Sequence, residues 1–303
     1  MMGVLAGIED GTGFDLRDCD YYVGTSAGAI VAAHLIAGQS PRRPSTVGTE
    51  VGAPLAPRPV DGLAAAGLAA ARRAGAYALA AGATFAPLAL GLAAPGGAVA
   101  RTLLLRRLPR PTSTLNDLRR NIERLDPRFD GRLRVTAVDR GNGRRVVFGS
   151  PRAPRATVAA AVEASCSVPW LFAPVEISGR EYVDGGVWSP TNLDAAPAGR
   201  DTHVLCLNPT ASISATNGVL AAIRSVSRTA VSVEALALRR RGAAVRMLAP
   251  NDECAELMGA NFMDREPRGR VLAAGYRQGL QFVTAPAPVS ARTPQPSLPR
   301  PQP

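Results

Sequence analysis

The sequence predicts an α/β fold with a largely parallel central sheet. Short apolar runs of strand composition alternate along the chain with segments of helical period, the pattern of a sheet covered by helices. With 303 residues, 46% of them hydrophobic and 19% charged, the chain can bury one large core and does not have a disordered composition. Between the first strand-like run and the helix after it lies a glycine-flanked turn, Gly24-Thr25-Ser26-Ala27-Gly28.

The elements follow in order. Residues 3–9 (GVLAGIE) read as a short helix ending near Gly11 and Gly13. Cys19 to Val23 has the composition of a buried strand, and AIVAAHLIAG after the turn reads as a helix stopped by Gly38. Five prolines between residues 39 and 60 indicate loop, and residues 61–105 are rich in Ala, Leu and Gly. Leu115–Leu125 is helical in pattern. Leu133–Val138 and Arg145–Phe148 read as strands around the turn Gly141-Asn142-Gly143. Val158–Ser165 reads as a short helix, and Val175–Ile177 and Glu181–Val183 flank a turn at Ser178-Gly179. Val204–Leu207 reads as another buried strand and Val219–Arg241 as a long amphipathic helix. The last twenty residues hold seven prolines without periodicity, so 284–303 is expected to be a disordered tail.

The net charge of +11 comes entirely from arginine, since the chain has no lysine. A GC-rich coding bias accounts for that without a special site; attraction to anionic partners is the functional alternative. Charge alone does not make a nucleic-acid binder, and no basic helix with interleaved aromatics is present. Cys19, Cys166, Cys206 and Cys254 lack a paired spacing, and His34 and His203 are the only histidines. No metal site and no cofactor are therefore expected, and the cysteines read as small buried residues of a reducing compartment. Glu9, Asp10 and Asp15 come early, with no basic and apolar leader, so no secretory signal is expected and a cytoplasmic protein is.

Chemistry is carried by two places. A serine at a sharp strand-to-helix turn projects its hydroxyl outward from a strained backbone, and the flanking Gly24 and Gly28 are expected to be required by crowding. The helix starting at Ala27 aims its free N–H groups at the place where an oxyanion forms. An ordinary tight turn is the bland reading of the same residues. Neither histidine suits Ser26: His34 lies about 12 Å along the helix axis, and His203 opens a strand at the opposite edge. Asp184, delivered by a short strand and followed by Gly185 and Gly186, is the better partner, although Asp-Gly turns are common. A carboxyl serves as base only if burial raises its pKa or a hydrogen bond holds it to Ser26, and Trp170, Phe172 and Trp188 are candidates for an apolar wall.

Gly24-Thr25-Ser26-Ala27-Gly28 with Ala29-Ile30, and the distant stretch from Ala164 to Ala195 (ASCSVPWLFAPVEISGREYVDGGVWSPTNLDA), together resemble the patatin-like phospholipase family. The resemblance is close over roughly 3–40 and 130–210. It implies a three-layer α/β/α fold, a Ser-Asp dyad and hydrolysis of acyl esters in phospholipids or other lipids. Ser26 would be nucleophile and Asp184 base. Family members begin with a strand and a glycine-rich loop that forms the oxyanion hole, whereas this chain starts at Met1-Met2-Gly3. The first strand is therefore expected to lie upstream of the sequence as written. The alternative is a catalytically impaired lipid-binding or membrane-associated relative. The expected organisation is one acyl hydrolase domain over 1–283, with an apolar helical insert at about 61–110, and then the tail.

Residues 74–100 carry no charge, but Pro87, Pro95 and Gly96-Gly97 interrupt them. A lid touching lipid is expected, with buried helices and a membrane span as alternatives. Arg101, Arg106, Arg107, Arg110, Arg119 and Arg120 beside it could grip lipid phosphates in peripheral contact with an anionic membrane, or form a solvated basic face.

Overall fold

The computed structural model describes residues 1–44, 97–210, 219–258 and 267–285. The helices are α1 (Met2–Thr12), α2 (Ala27–Ile36), α3 (Gly97–Arg107), α4 (Asn116–Glu123), α5 (Val158–Cys166), α6 (Val219–Arg240), α7 (Asp252–Met258) and α8 (Arg268–Thr284). The strands are β1 (Tyr22–Gly24), β2 (Leu133–Asp139), β3 (Arg145–Phe148), β4 (Val175–Ile177), β5 (Arg180–Asp184), β6 (His203–Leu207) and β7 (Ala244–Leu248).

β2 organises the larger sheet. Six of its seven residues are buried, from Leu133 through Val135 to Asp139, because both of its faces are covered. β1 runs parallel to it, pairing Tyr22 with Leu133 and Gly24 with Val135. β3 pairs antiparallel across Val135–Val138, and β5 antiparallel across Ala137–Asp139. Val135 is opposite both Gly24 and Phe148, and Ala137 is opposite both Asp184 and Val146. β1 and β5 therefore share one edge of β2 while β3 holds the other. They run toward each other, and their C-terminal ends meet on either side of Thr136.

β4 pairs antiparallel with β5. Ser178 and Gly179, the two residues between them, have φ of 51° and 73°, the positive values that a tight two-residue hairpin requires. β6 and β7 form a separate parallel pair joined through α6. The expected largely parallel sheet is thus mixed: β1–β2 and β6–β7 are parallel, and β2–β3, β2–β5 and β4–β5 are antiparallel. Short turns join β2 to β3 and β4 to β5 and make those pairs antiparallel, while β5 meets β2 antiparallel through a longer connection.

α5 is buried along all nine residues. Its alanines at 159, 160, 161 and 164 let its backbone lie close to the sheet, and the Thr157 hydroxyl caps it by accepting from the Ala160 N–H at 3.1 Å. The main core joins this helix to α2, β1 and β2 through Tyr22, Ala29, Ala33, Leu133, Val135 and Val162. A second cluster, Leu193, Cys206, Val231, Ala235, Leu238 and Val245, holds α6 to β6 and β7. α1 and α8 pack backbone to backbone. A Cβ at Gly3 would stand 2.1 Å from the Leu272 carbonyl oxygen, and one at Gly279 2.2 Å from that of Val4.

The helix read over 3–9 extends to Thr12, where Gly13 in the left-handed region ends it. The strand read over Cys19–Val23 begins only at Tyr22, after a single 3-10 turn at Leu16–Asp18. The sequence reading left β7, α7 and α8 unassigned. Most of the apolar insert, residues 61–96, and the tail beyond Ala285 lie outside the described residues. No described helix is long and apolar enough to cross a membrane.

Candidate active site

Ser26 stands between β1 and α2 with φ 51° and ψ −122°, a conformation that L-residues rarely hold. Its N–H donates to the Ser165 hydroxyl at 2.8 Å. Ser165 is fully buried on α5, so the helix packed beneath the sheet fixes the strained turn from below. A Cβ at Gly24 would lie 2.4 Å from the Cα of Ala29, so only glycine fits where the chain turns back. Gly28 does not meet the same expectation. A Cβ there would have nothing within 4 Å, because the residue sits on the open side of the first turn of α2. Ala27 is exposed, and among the described residues its N–H has no backbone acceptor. That N–H and the helix end are free to receive a negative oxygen.

β5 brings Asp184 to the far side of Thr136. The carboxyl is 4% exposed, and its Oδ1 accepts from the Gly186 N–H at 2.6 Å. Burial raises its pKa from 3.8 to about 6, opposed by the Gly186 hydrogen bond and by one from the Ser26 side chain. Crowding against backbone requires glycine at 185, whereas a Cβ at 186 would make only a tight contact with a side chain. A Cβ on Gly185 would stand 2.5 Å from the Thr136 carbonyl oxygen, and one on Gly186 3.0 Å from Asp184 Oδ1. The Ser26 side chain also interacts with the thiol of Cys166, which is buried at the end of α5 and whose pKa burial pushes well up.

Ser26 opens into a groove of about 2250 Å³ whose walls include Ile30, Val31, Leu35, Val168, Leu171 and Phe172. β1 and β6 both line it, and neither has a second hydrogen-bonded neighbour on that side among the described residues. Trp170 and Phe172 line it too. Trp188 does not: it packs on Leu105, Val138 and Val183 with the guanidinium of Arg101 4.3 Å from its ring centroid. His34 directs its Nδ1 to the Ile30 carbonyl oxygen at 2.8 Å within its own helix, and His203 is exposed at the start of β6.

The arginines expected to form one basic surface are largely engaged. Arg101 is 1% exposed and donates from Nε to the Gly143 carbonyl oxygen at 2.9 Å. Arg110 pairs with Glu181 at 3.0 Å, Arg119 with Glu123 and Glu163, and Arg120 with Asp117. Arg101 is therefore part of the interior and contributes nothing to a surface patch.

Sequence reasoning brought Ser26, Asp184 and their glycines together, and missed what holds them. Ser165 and Cys166 on α5, Thr136 on β2, Asn192 on the loop after β5 and Glu234 on α6 surround the pair from four separate elements. Ser165, Cys166 and Asn192 lie in the stretch from Ala164 to Ala195 that carries the resemblance, but nothing in their spacing reveals a contact.

A strained serine where a strand turns into a helix, facing a buried carboxyl across one sheet edge, defines a nucleophile-elbow α/β domain. The model of the family described as Patatin-like phospholipase matches residues 1–197, and the chain belongs to that family. Membership suggests hydrolysis of lipid esters. No curated protein matches the chain.

Proposed function

We propose that the protein is a serine lipid acyl hydrolase, phospholipase A- or lysophospholipase-like, with a Ser26–Asp184 dyad and an acyl-enzyme intermediate. The observation that supports this best is the convergence on Thr136. It sets a positive-φ serine beside a carboxyl whose pKa is raised to about 6. A base of that pKa is ionised at neutral pH and still accepts a proton far better than an exposed aspartate.

Ser26 Oγ attacks the ester carbonyl carbon while its proton passes to Asp184. The carbonyl oxygen becomes an oxyanion beside the Ala27 N–H and the end of α2. Collapse breaks the ester C–O bond, and Asp184 returns its proton to the departing alcohol. Water then attacks the acyl carbon and gives a proton to Asp184; the acyl–Oγ bond breaks as Asp184 returns that proton to Ser26 Oγ, releasing the fatty acid and restoring the serine hydroxyl. The apolar walls of the groove suit an acyl chain, and no step calls for a metal or cofactor. The proposal extends to a single domain over 1–283 in a three-layer arrangement. It also extends to a cytoplasmic protein that meets anionic membrane peripherally.

An active-site fluorophosphonate tests the nucleophile. The adduct is expected on Ser26 by mass spectrometry, and Ser26→Ala is expected to abolish it. Asp184→Asn should slow ester hydrolysis by about 10²–10⁴. His203→Gln and His34→Gln should leave most turnover intact. Loss of turnover in a folded His203→Gln protein would replace the dyad by a triad.

A further inference from the structure

Asn192 occupies the point where the two converging strands end. It is fully buried and has φ 49° and ψ 36°, a left-handed conformation that asparagine tolerates better than most residues. Its side-chain N–H groups reach three acceptors: Thr25 Oγ1 at 3.1 Å, the Gly185 carbonyl oxygen at 3.1 Å and the Ser189 carbonyl oxygen at 2.6 Å. Thr25 immediately precedes Ser26, and Gly185 immediately follows Asp184. Thr25 Oγ1 is also 2.8 Å from Thr136 Oγ1, so the elbow is held from two sides. The amide oxygen of Asn192 accepts from Arg145 at 3.2 Å, which fixes the orientation of the amide.

The neighbours of Asn192 are fixed in turn. Glu234, on α6, accepts from the Thr191 hydroxyl and from the Leu193 N–H, each at 2.7 Å. A carboxylate from beyond the family-matched residues thus grips the loop on both sides of Asn192. A buried network of this kind, with each partner satisfied, rigidifies what it joins.

We propose that Asn192 is a positioning residue for acyl transfer: its amide ties the residue before the nucleophile to the residue after the base and so fixes Ser26 relative to Asp184. The inference rests on the dyad reading. Asn192 does not touch the reacting atoms, and its effect is on geometry. Misplacing a reacting group by about 1 Å costs on the order of 10² in rate.

The test is the rate of fluorophosphonate labelling, with kcat and KM for a soluble ester, at a temperature where every variant is folded. Asn192→Ala should lower kcat and the labelling rate by about 10- to 100-fold and leave KM within about threefold. Val245→Ala, in the second core cluster, should lower the melting temperature without slowing labelling. Thr25→Val removes the other end of the tie and keeps its shape, so it should slow labelling on its own and reads the tie even if Asn192→Ala does not fold. The double variant should lose less than the product of the two single losses, because the singles share the Thr25–Asn192 bond. A wild-type labelling rate in Asn192→Ala or in Thr25→Val overturns the inference. So does equal slowing in Val245→Ala, or a double variant whose loss is the product of the two singles. Labelling that survives Ser26→Ala is a separate result: it removes the dyad reading itself.

Discussion

Replacing Asp184 by asparagine should stabilise the protein above pH 6 while it removes activity. The carboxyl is buried, and its pKa stands at about 6 against 3.8 for an ordinary aspartate. The folded state therefore holds a proton over a range where the unfolded chain has lost it. Stability from this group is complete below about pH 4 and is lost as pH rises through about 6. The full loss corresponds to about 3 kcal/mol, at about 1.4 kcal/mol per tenfold change in proton affinity. About 2 kcal/mol of it should fall between pH 4.5 and pH 8. Asparagine keeps the shape and the oxygen that accepts from Gly186, and it does not ionise. Urea unfolding of both proteins at several pH values measures the effect. The difference between them cancels every other titrating group, including Asp15, whose pKa hydrogen bonding with Arg17 lowers to about 2. Asp184→Asn should gain about 2 kcal/mol on the wild type from pH 4.5 to pH 8. A difference constant to within about 0.5 kcal/mol would show that the folded state does not strain this carboxylate, and the case for a tuned base would go with it. The wild-type kcat/KM should rise with unit slope toward a plateau above about pH 6, as the base ionises.

Two further perturbations separate crowding from convention. Gly24→Ala should destabilise by about 3 kcal/mol and abolish labelling of Ser26, because its Cβ overlaps Ala29. Gly28→Ala should leave the melting temperature unchanged or slightly raised, since its Cβ meets open space and alanine favours the helix; a loss of stability there would refute the open-turn geometry. Ser165→Ala leaves the Ser26 N–H without its acceptor and should cost about 1–3 kcal/mol in denaturant unfolding.

The motifs and most of the elements could be read directly, because they rest on short-range rules. GTSAG between an apolar run and a helical one marks a turn whatever lies around it. The Ser178-Gly179 hairpin, the Thr157-capped helix and the β6 strand follow in the same way from local composition. β7, α7 and α8 were not legible. α8 in particular carries glycines where a free helix would be weakened, and its contact with α1 explains them: Gly275 and Gly279 face Val4 and Gly7 at backbone distance. Strand direction was misread because alternation says which segments are strands and not which edges they share.

The sequence by itself determined the residues on offer: a serine on a tight turn, a carboxyl before two glycines and only two histidines. Only the tertiary structure decided that the chemistry can be brought to one place. Ser26 and Asp184 are 158 positions apart in the chain. They meet because β1 and β5 take the same edge of β2 and end on opposite sides of Thr136. The carboxyl's proton affinity is likewise a property of its burial, which no window of sequence contains. The ties that fix the pair, through Ser165, Asn192 and Glu234, come from three elements whose positions depend on how the whole core packs. Hydrogen bonds between such distant segments are set by that packing, whereas turns and strands are set by the residues that form them.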